Sequence, residues 1–492
     1  MKRRDFIKSV SLSPLLFSNL NANDDLSNSL GDYKALVCIY LFGGNDAFNM
    51  FVPIGDDSKS GYNNYAQGRA NLAVSDNALA IPNLGFQDDY SLSSNPYNVD
   101  GTSTSAYVKG YYPIDGSDMG VNGMMPEVAF LIKSRYISMV TNMGNLIKPS
   151  TKTLLTSRPL EYEPPFLFAH NHQRRVQYTG IANNLNTTGW AGRLGDIWKD
   201  VNSLGVNISF AGTTRMMIGD STKSISLHNS PQEYKSMEIA NPNHQSRRDI
   251  FKVLSNLSDS NSYFNHHQTK LQESLNLSDI MATNWGSAKD FTTMKDSYGN
   301  SLFNVPTNNI TQLDVDLSGN LIEQLEAVAK MIDISSNSLS QQRQIYYVQL
   351  GGFDTHSSQM RNHPKLLREL SLGLWKFQKA LNSMNMSQKV TTFTMSDFGR
   401  SLGSNGDGTD HAWGSNAIVM GGAIDKIKVG EIPDWTLGGD DDISNKGRII
   451  PTISTEQYLA TITKWFGVNE SQMDILFPNL QNFDSRDIGI FG

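Results

Sequence analysis

Three stretches of this sequence end in the same chemistry, and that shared ending constrains the fold more than any other feature. Ala35 to Phe42 reads ALVCIYLF and runs into Gly43-Gly44-Asn45-Asp46. Ile345 to Leu350 reads IYYVQL and runs into Gly351-Gly352-Phe353-Asp354-Thr355-His356. Val390 to Met395 reads VTTFTM and runs into Ser396-Asp397-Phe398-Gly399-Arg400. Each run is β-branched, aromatic and aliphatic without polar alternation, the pattern of strands buried on both faces, which predicts a largely parallel sheet covered by helices. Leu321 to Ile332 and Lys365 to Met384 place apolar residues three and four apart, the helical period. Alternating strands and helices imply an open α/β sheet with helices on both faces, and ligands in such sheets gather beyond the carboxyl ends of the strands. Three aspartates are delivered to that edge.

Asp354 and His356 are two apart, so extended backbone would point both side chains the same way and let them share one ion. Asp410 and His411 sit side by side in the glycine-rich Gly408-Thr409-Asp410-His411-Ala412-Trp413-Gly414, and His170 with His172 supplies a further source of imidazole. Aspartate oxygen with histidine nitrogen suits zinc or manganese better than calcium or magnesium, which prefer all-oxygen sites. Each element alone also has a plain structural reading. An aspartate after a strand is commonly a turn former or helix cap, and Asp410-His411 can be a turn. Arg400 and Arg193 are either bidentate clamps for an oxyanion or ordinary ion pairs. Trp190, Trp413 and Trp465 are expected to pack rather than to form a sugar platform.

The amino terminus reads MKRRDFIKSVSLSPLLFSNLNAN, in which Arg3-Arg4-Asp5-Phe6-Ile7-Lys8 fits the twin-arginine export pattern and precedes a short apolar run from Val10 to Leu20. That run is too short, and too interrupted by serines and Pro14, to span a bilayer. Residues 1–22 therefore read as a signal with cleavage after Ala22, and the mature chain as periplasmic or secreted without a transmembrane anchor. The formal charge of −7 becomes more negative once that basic segment is removed, which excludes a nucleic-acid partner. The single cysteine, Cys38, excludes an internal disulfide framework. No linker or repeat divides residues 23–492, so one domain is expected, with long polar loop insertions at 56–120 and 220–310.

With these residues assembled, the chain resembles the secreted family called domain of unknown function 1501, which is itself similar to the alkaline phosphatase-like (sulfatase and phosphomutase) superfamily. The segments that carry the resemblance are LVCIYLFGGNDAFNMFVPIGD at 36–56, LFAHNHQ at 167–173, GWAGRLGD at 189–196 and QLGGFDTHSSQ at 349–359. They continue with TMSDFGRSLGSNGDGTDHAWGSNAIVMGGAI at 394–424 and IIPTISTEQYLATITKWFG at 449–467. The resemblance implies an alkaline phosphatase-like α/β fold with metal ligands at Asp46, Asp354, His356, Asp397 and His411, with Asp410 and His170 in support. It also implies that Phe398 stands where a further ligand belongs.

Such folds attack with Ser, Thr or a modified Cys at a helix start, whereas this chain carries Ala169 there. Cys38 lacks the C-x-P-x-R setting of a modified cysteine, which leaves Ser396, Thr151 or a metal-bound water as nucleophile. The implied activity is hydrolysis of a phosphate or sulfate monoester, with Arg400 binding the anion and a divalent metal polarising its oxygens. The rival expectation is a degenerate relative that binds metal or anion and acts with a protein or polymer partner, including one exported alongside it.

Overall fold

The computed structural model describes the chain apart from residues 1–29, 56–57, 85–109, 199–200, 203, 223, 230–244, 296–298 and 306–316. The export signal at 1–22 lies outside the described residues. At the centre of the main sheet is β1 (Lys34–Phe42), flanked in parallel by β8 (Arg343–Gly351) and β9 (Val390–Ser396). These are the three predicted strands, found within two residues of their expected bounds.

The sheet extends beyond β8 to β6 (Asn207–Ser209) and β7 (Ile225–Ser226), both parallel. Beyond β9 it continues through β12 (Ser415–Met420) and β5 (Ile137–Gly144) to β13 (Lys428–Val429), while β14 (Ile453–Ser454) also pairs with β5. Among the described strands of this sheet only β12 runs antiparallel, between β5 and β9. The expected largely parallel α/β architecture is therefore present, with one reversed strand inserted.

The absence of polar alternation in β1 has a direct structural cause. Ala35, Val37, Ile39 and Leu41 pack into one core with the helices Pro126–Lys133, Asn320–Asn337 and Gln359–Ser383. Leu36, Cys38 and Tyr40 pack into a second core on the opposite face, with the helices Trp190–Ile197 and Thr455–Phe466. Helices thus cover both faces, and β1 must be apolar on both. Burial pushes the Cys38 thiol well above its ordinary range, so this cysteine is a packing residue rather than a nucleophile.

The expected long polar loops are corrected in part. The 56–120 region carries the helix Tyr62–Arg69 and two strands, β3 (Tyr111–Pro113) and β4 (Met119–Asn122), which join β2 (Phe51–Pro53) in a small sheet. The 220–310 region carries the helices Gln245–Ser255 and Ser262–Asn284. Most of the second helix's amino-terminal half faces solvent, so it needs no continuous apolar stripe. Its start is instead marked by Asn261, whose side chain accepts from the Tyr263 and Phe264 amides. Among the described residues no helix is long and apolar enough to cross a membrane.

Candidate metal centre

The carboxyl ends of β1, β8 and β9 open onto one place, and glycines make the approach possible. Gly43 (φ +117°) follows β1, and a Cβ there would lie 2.5 Å from the Asp354 amide nitrogen. Gly408 lies against Thr355 and His356, where a Cβ would come within 2.2 Å of the Thr355 carbonyl oxygen. Any larger residue at either position would force the Asp354–His356 segment away from its neighbours. The hairpin of β10 (Arg400–Ser404) and β11 (Thr409–His411) pairs Arg400 with His411 and carries that histidine to the same edge. The fourth contributor is the helix His170–Thr179, whose first residue points into the group.

His170, Asp354, His356 and His411 form a cluster whose ligand atoms all lie within 4.8 Å of one another. Asp354 Oδ1 is 3.3 Å from His170 Nε2, 3.2 Å from His356 Nε2 and 3.5 Å from His411 Nε2. His356 Nε2 and His411 Nε2 are 2.7 Å apart. Ligands held at about 2.0–2.1 Å around a tetrahedral ion are themselves about 3.3 Å apart, so three of these separations match the edges of such a tetrahedron.

The outer hydrogen bonds fix which nitrogens face inward. His411 Nδ1 is 2.8 Å from the Phe168 carbonyl oxygen, which can only accept, so Nδ1 carries the hydrogen and Nε2 a lone pair. His170 Nδ1 is 2.8 Å from Asp397 Oδ2 and is the donor there, which leaves Nε2 as a lone pair too. That Nε2 is buried and has no hydrogen-bond partner. A proton on His356 Nε2 would satisfy His411 but still leave the His170 lone pair facing a carboxylate oxygen. A cation satisfies all four groups at once, so the donor set fits a metal ion.

The electrostatics agree with that reading. Burial alone would raise the Asp354 carboxyl, but the hydrogen bond and charge of Arg400, with His170 and His356 beside it, hold it below the ordinary carboxylate range. Burial holds the His411 imidazole below its usual range and outweighs the Phe168 carbonyl, which favours the neutral, ligating form. The site is also open, since the side chains of Asp354 and His356 are 50% and 44% exposed.

Several expected site residues sit elsewhere. Asp46 is fully buried, and its carboxylate is taken by Arg69 and by the Gln359 amide, so it belongs to an interior ion pair outside the cluster. Asp397 is not a second carboxylate in the cluster, because it meets the Nδ1 side of the His170 ring, away from the convergent Nε2 atoms. Arg400 is buried and fully engaged, donating to the carbonyls of Gly43, Gly44 and Thr409 and to Asp354. It is a tie between segments, not a free anion clamp. Asp410 Oδ1 lies 3.6 Å from His356 Nδ1 and accepts from Asn405, which places it on the far side of the His356 ring from the convergent Nε2.

The hydroxyl candidates are committed as well. Ser396 Oγ donates to the Leu41 carbonyl at 2.7 Å and accepts from the Asn45 amide at 2.8 Å. Thr151 caps the helix Lys152–Ser157. Ala169 is the N-cap of the helix His170–Thr179 and brings no side-chain cap. Phe398 packs its ring on His170 and His411, with centroids 4.6 and 4.5 Å away. Arg193 donates to the carbonyls of Thr179, Thr188 and Leu476, the ordinary structural role. Trp190 and Trp413 are buried, and Trp465 lies under the Lys34 ammonium.

Two participants escaped the sequence. Tyr40 donates its hydroxyl to Asp397 Oδ1 at 2.9 Å, and burial together with the Asp397 charge pushes its phenol well above its ordinary range, keeping it a donor. Arg174 reaches both Asp397 oxygens at 3.3 and 3.4 Å while its guanidinium lies 3.6 Å over the Phe42 ring. The signal for Arg174 was its spacing, four residues after His170 on the same helical face. For Tyr40 it was a hydroxyl inside an otherwise apolar strand.

No curated protein matches the chain. A solved structure, "Crystal structure of Ps i-CgsB in complex with k-i-k-neocarrahexaose", is similar at 10% identity with a TM-score of 0.30, covering 71% of this chain and 68% of that one, too slight a likeness to carry any argument. Residues 327–468, which include Asp354, His356 and His411 but not Asp46 or His170, match the family described as "Protein of unknown function (DUF1501)".

Proposed function

We propose that this chain is an exported, metal-dependent hydrolase of phosphate or sulfate monoesters, built on an alkaline phosphatase-like scheme with one divalent ion, zinc ahead of manganese. The observation that carries the reading is the convergence of three imidazole nitrogens on one carboxylate oxygen, Asp354 Oδ1, which lies 3.2 to 3.5 Å from each of them. His170, Asp354, His356 and His411 would hold the ion, and three nitrogens with one oxygen suit zinc better than an oxygen-seeking metal. Bound there, such an ion supplies Lewis acidity to an ester oxygen and acidifies water.

The chain's own residues define the rest. With Ala169 at the helix start and the hydroxyls of Ser396 and Thr151 committed, water in place of a side chain is the nucleophile this geometry leaves. Arg174, 21% exposed, keeps its Nη1 uncommitted among the described residues and replaces Arg400 as the guanidinium available to an anion. The twin-arginine start supports export of a chain folded around its metal before it crosses the membrane.

A second reading, a non-catalytic metal- or anion-binding protein of the envelope acting with a protein or polymer partner, is favoured by Ala169 at the position where a nucleophile would stand. One experiment separates the two. Protein purified from the periplasm without chelator is assayed for metal and for turnover of aryl phosphates and aryl sulfates, beside Asp354→Ala. About one metal per chain, with ester turnover lost in the variant, supports the hydrolase. Metal without turnover leaves the binding protein, and no metal sinks the hydrolase and the metal-binding form of the second reading.

A further inference from the structure

The Asp397 carboxyl is fully buried, yet it gathers donors from separate parts of the chain. Tyr40 reaches it from β1, while His170 and Arg174 reach it from one face of the helix His170–Thr179, a single turn apart. Asp397 itself follows β9 directly. The sheet is rigid here, because β1 and β9 are paired from Ala35–Val390 through Leu41–Ser396.

A helix end is the part of a helix most free to fray, and this one begins at Ala169 without a side-chain cap. His170 is the first residue of that helix, so its ring needs an anchor other than its own backbone. We infer that Asp397 is a positioning residue, the buried carboxylate that fixes the His170 ring and its Nδ1 hydrogen so that Nε2 is presented to the metal. Because His170 is the only ligand of the four drawn from outside residues 354–411, this contact ties the helix's ligating residue to the rest of the centre, beside the Arg174 bonds to the same carboxyl. Tyr40 and Arg174 hold the carboxyl from its other sides and keep it from turning away. The inference rests on the metal reading.

Outer carboxylates of this kind orient ligating histidines and raise their basicity, and losing one typically weakens metal binding about 10–100-fold. A purely structural Asp397 would lower stability without altering the ion's coordination. The full chain without its signal is stripped of metal, and its zinc affinity is measured by competition with a chromophoric chelator. The visible spectrum of the cobalt(II)-substituted protein reports coordination directly.

Wild type should bind zinc and give the intense spectrum of four-coordinate cobalt. Asp397→Ala should bind zinc about 10–100-fold more weakly, with a weaker or shifted cobalt spectrum. Asp397→Asn, nearly isosteric and the safeguard if the alanine variant fails to fold, should lie between the two. Tyr40→Phe, which removes one of the donors that hold the carboxyl, should weaken zinc binding less than Asp397→Ala does. If the folded Asp397 variants bind zinc within twofold of wild type and show its cobalt spectrum, Asp397 has no positioning role. If wild type itself binds neither zinc nor cobalt, the metal reading has failed, a result distinct from failure of the inference alone.

Discussion

The Arg400 guanidinium reaches three backbone carbonyls and one carboxylate from a fully buried position, so its charge is spent on holding β1, β8 and the β10–β11 hairpin together. Replacing it with methionine should strand those carbonyls without donors and deprive Asp354 of its guanidinium partner, costing about 3 kcal/mol or more in urea unfolding. Lysine should recover little, because a single ammonium cannot span acceptors that a planar fork reaches. An anion clamp would behave oppositely, losing ester affinity with stability intact. The same limit governs what the sequence could reveal about single residues. Asp354, His356 and His411 were legible because a spacing of two, or an adjacent acid and imidazole, implies shared direction. Asp46 obeyed the same strand-then-aspartate rule and yet turned inward. Its fate was set by Arg69 and Gln359, far away in sequence, and no local pattern announces such a partner.

At the scale of elements, apolar period was a sound guide wherever a segment is buried, and a poor one elsewhere. The helix expected from Lys365 in fact begins at Gln359 and runs through Pro364, the residue at which a sequence rule would start or stop it. β5 is buried along its whole length but reads ISMVTNMG, with polar residues that find partners in the interior: Asn142 donates to the Ile450 carbonyl, and Thr141 to that of Val429 in β13. Those hydrogen bonds let a central strand carry side chains that look like a loop in sequence. The helix His170–Thr179 tests capping directly. Ala169 has the extended backbone of an N-cap (φ −108°, ψ 115°) but no group to accept an amide. Ala169→Ser should therefore stabilise the protein by about 1 kcal/mol, read as a higher urea midpoint at unchanged slope. Thr151→Ala, which removes a cap already made at the neighbouring helix Lys152–Ser157, should cost about the same. A serine at 169 that leaves stability unchanged would mean that this helix start is held by Asp397 alone.

For the whole molecule, the centre draws on distant parts of the chain, so metal and fold should be coupled. Adding a chelator should lower the melting temperature of the loaded protein, since free metal at 100 times its dissociation constant contributes about 2.7 kcal/mol. His411→Ala should show a much smaller chelator effect. Acid sensitivity has a separate origin, away from the centre. His363 is fully buried, donating to Asn45 Oδ1 at 3.0 Å, and burial lowers its pKa to about 4, with Asp46 opposing and Arg69 and Arg400 adding to the fall. Its folded value lies below the ordinary 6.5, so the stability it contributes is present above pH 6.5 and is lost as pH falls toward 4. Glu456 runs the other way. Burial raises it to about 7 against the Ala182 and Asn479 donors, so its contribution is present below 4.5 and is lost as pH rises through 7. The two windows overlap, and their opposite slopes largely cancel between pH 4.5 and 6.5. His363→Gln keeps a donor for Asn45 while removing the titration. Relative to wild type, this variant should gain about 3 kcal/mol of stability between pH 7 and pH 4, measured by denaturant unfolding across that range. The comparison is made between two proteins that share every other titrating group, including the metal ligands, so their contributions drop out. A difference that stays constant with pH would show that His363 charges in the folded state as readily as in the unfolded chain, and that acid instability arises elsewhere.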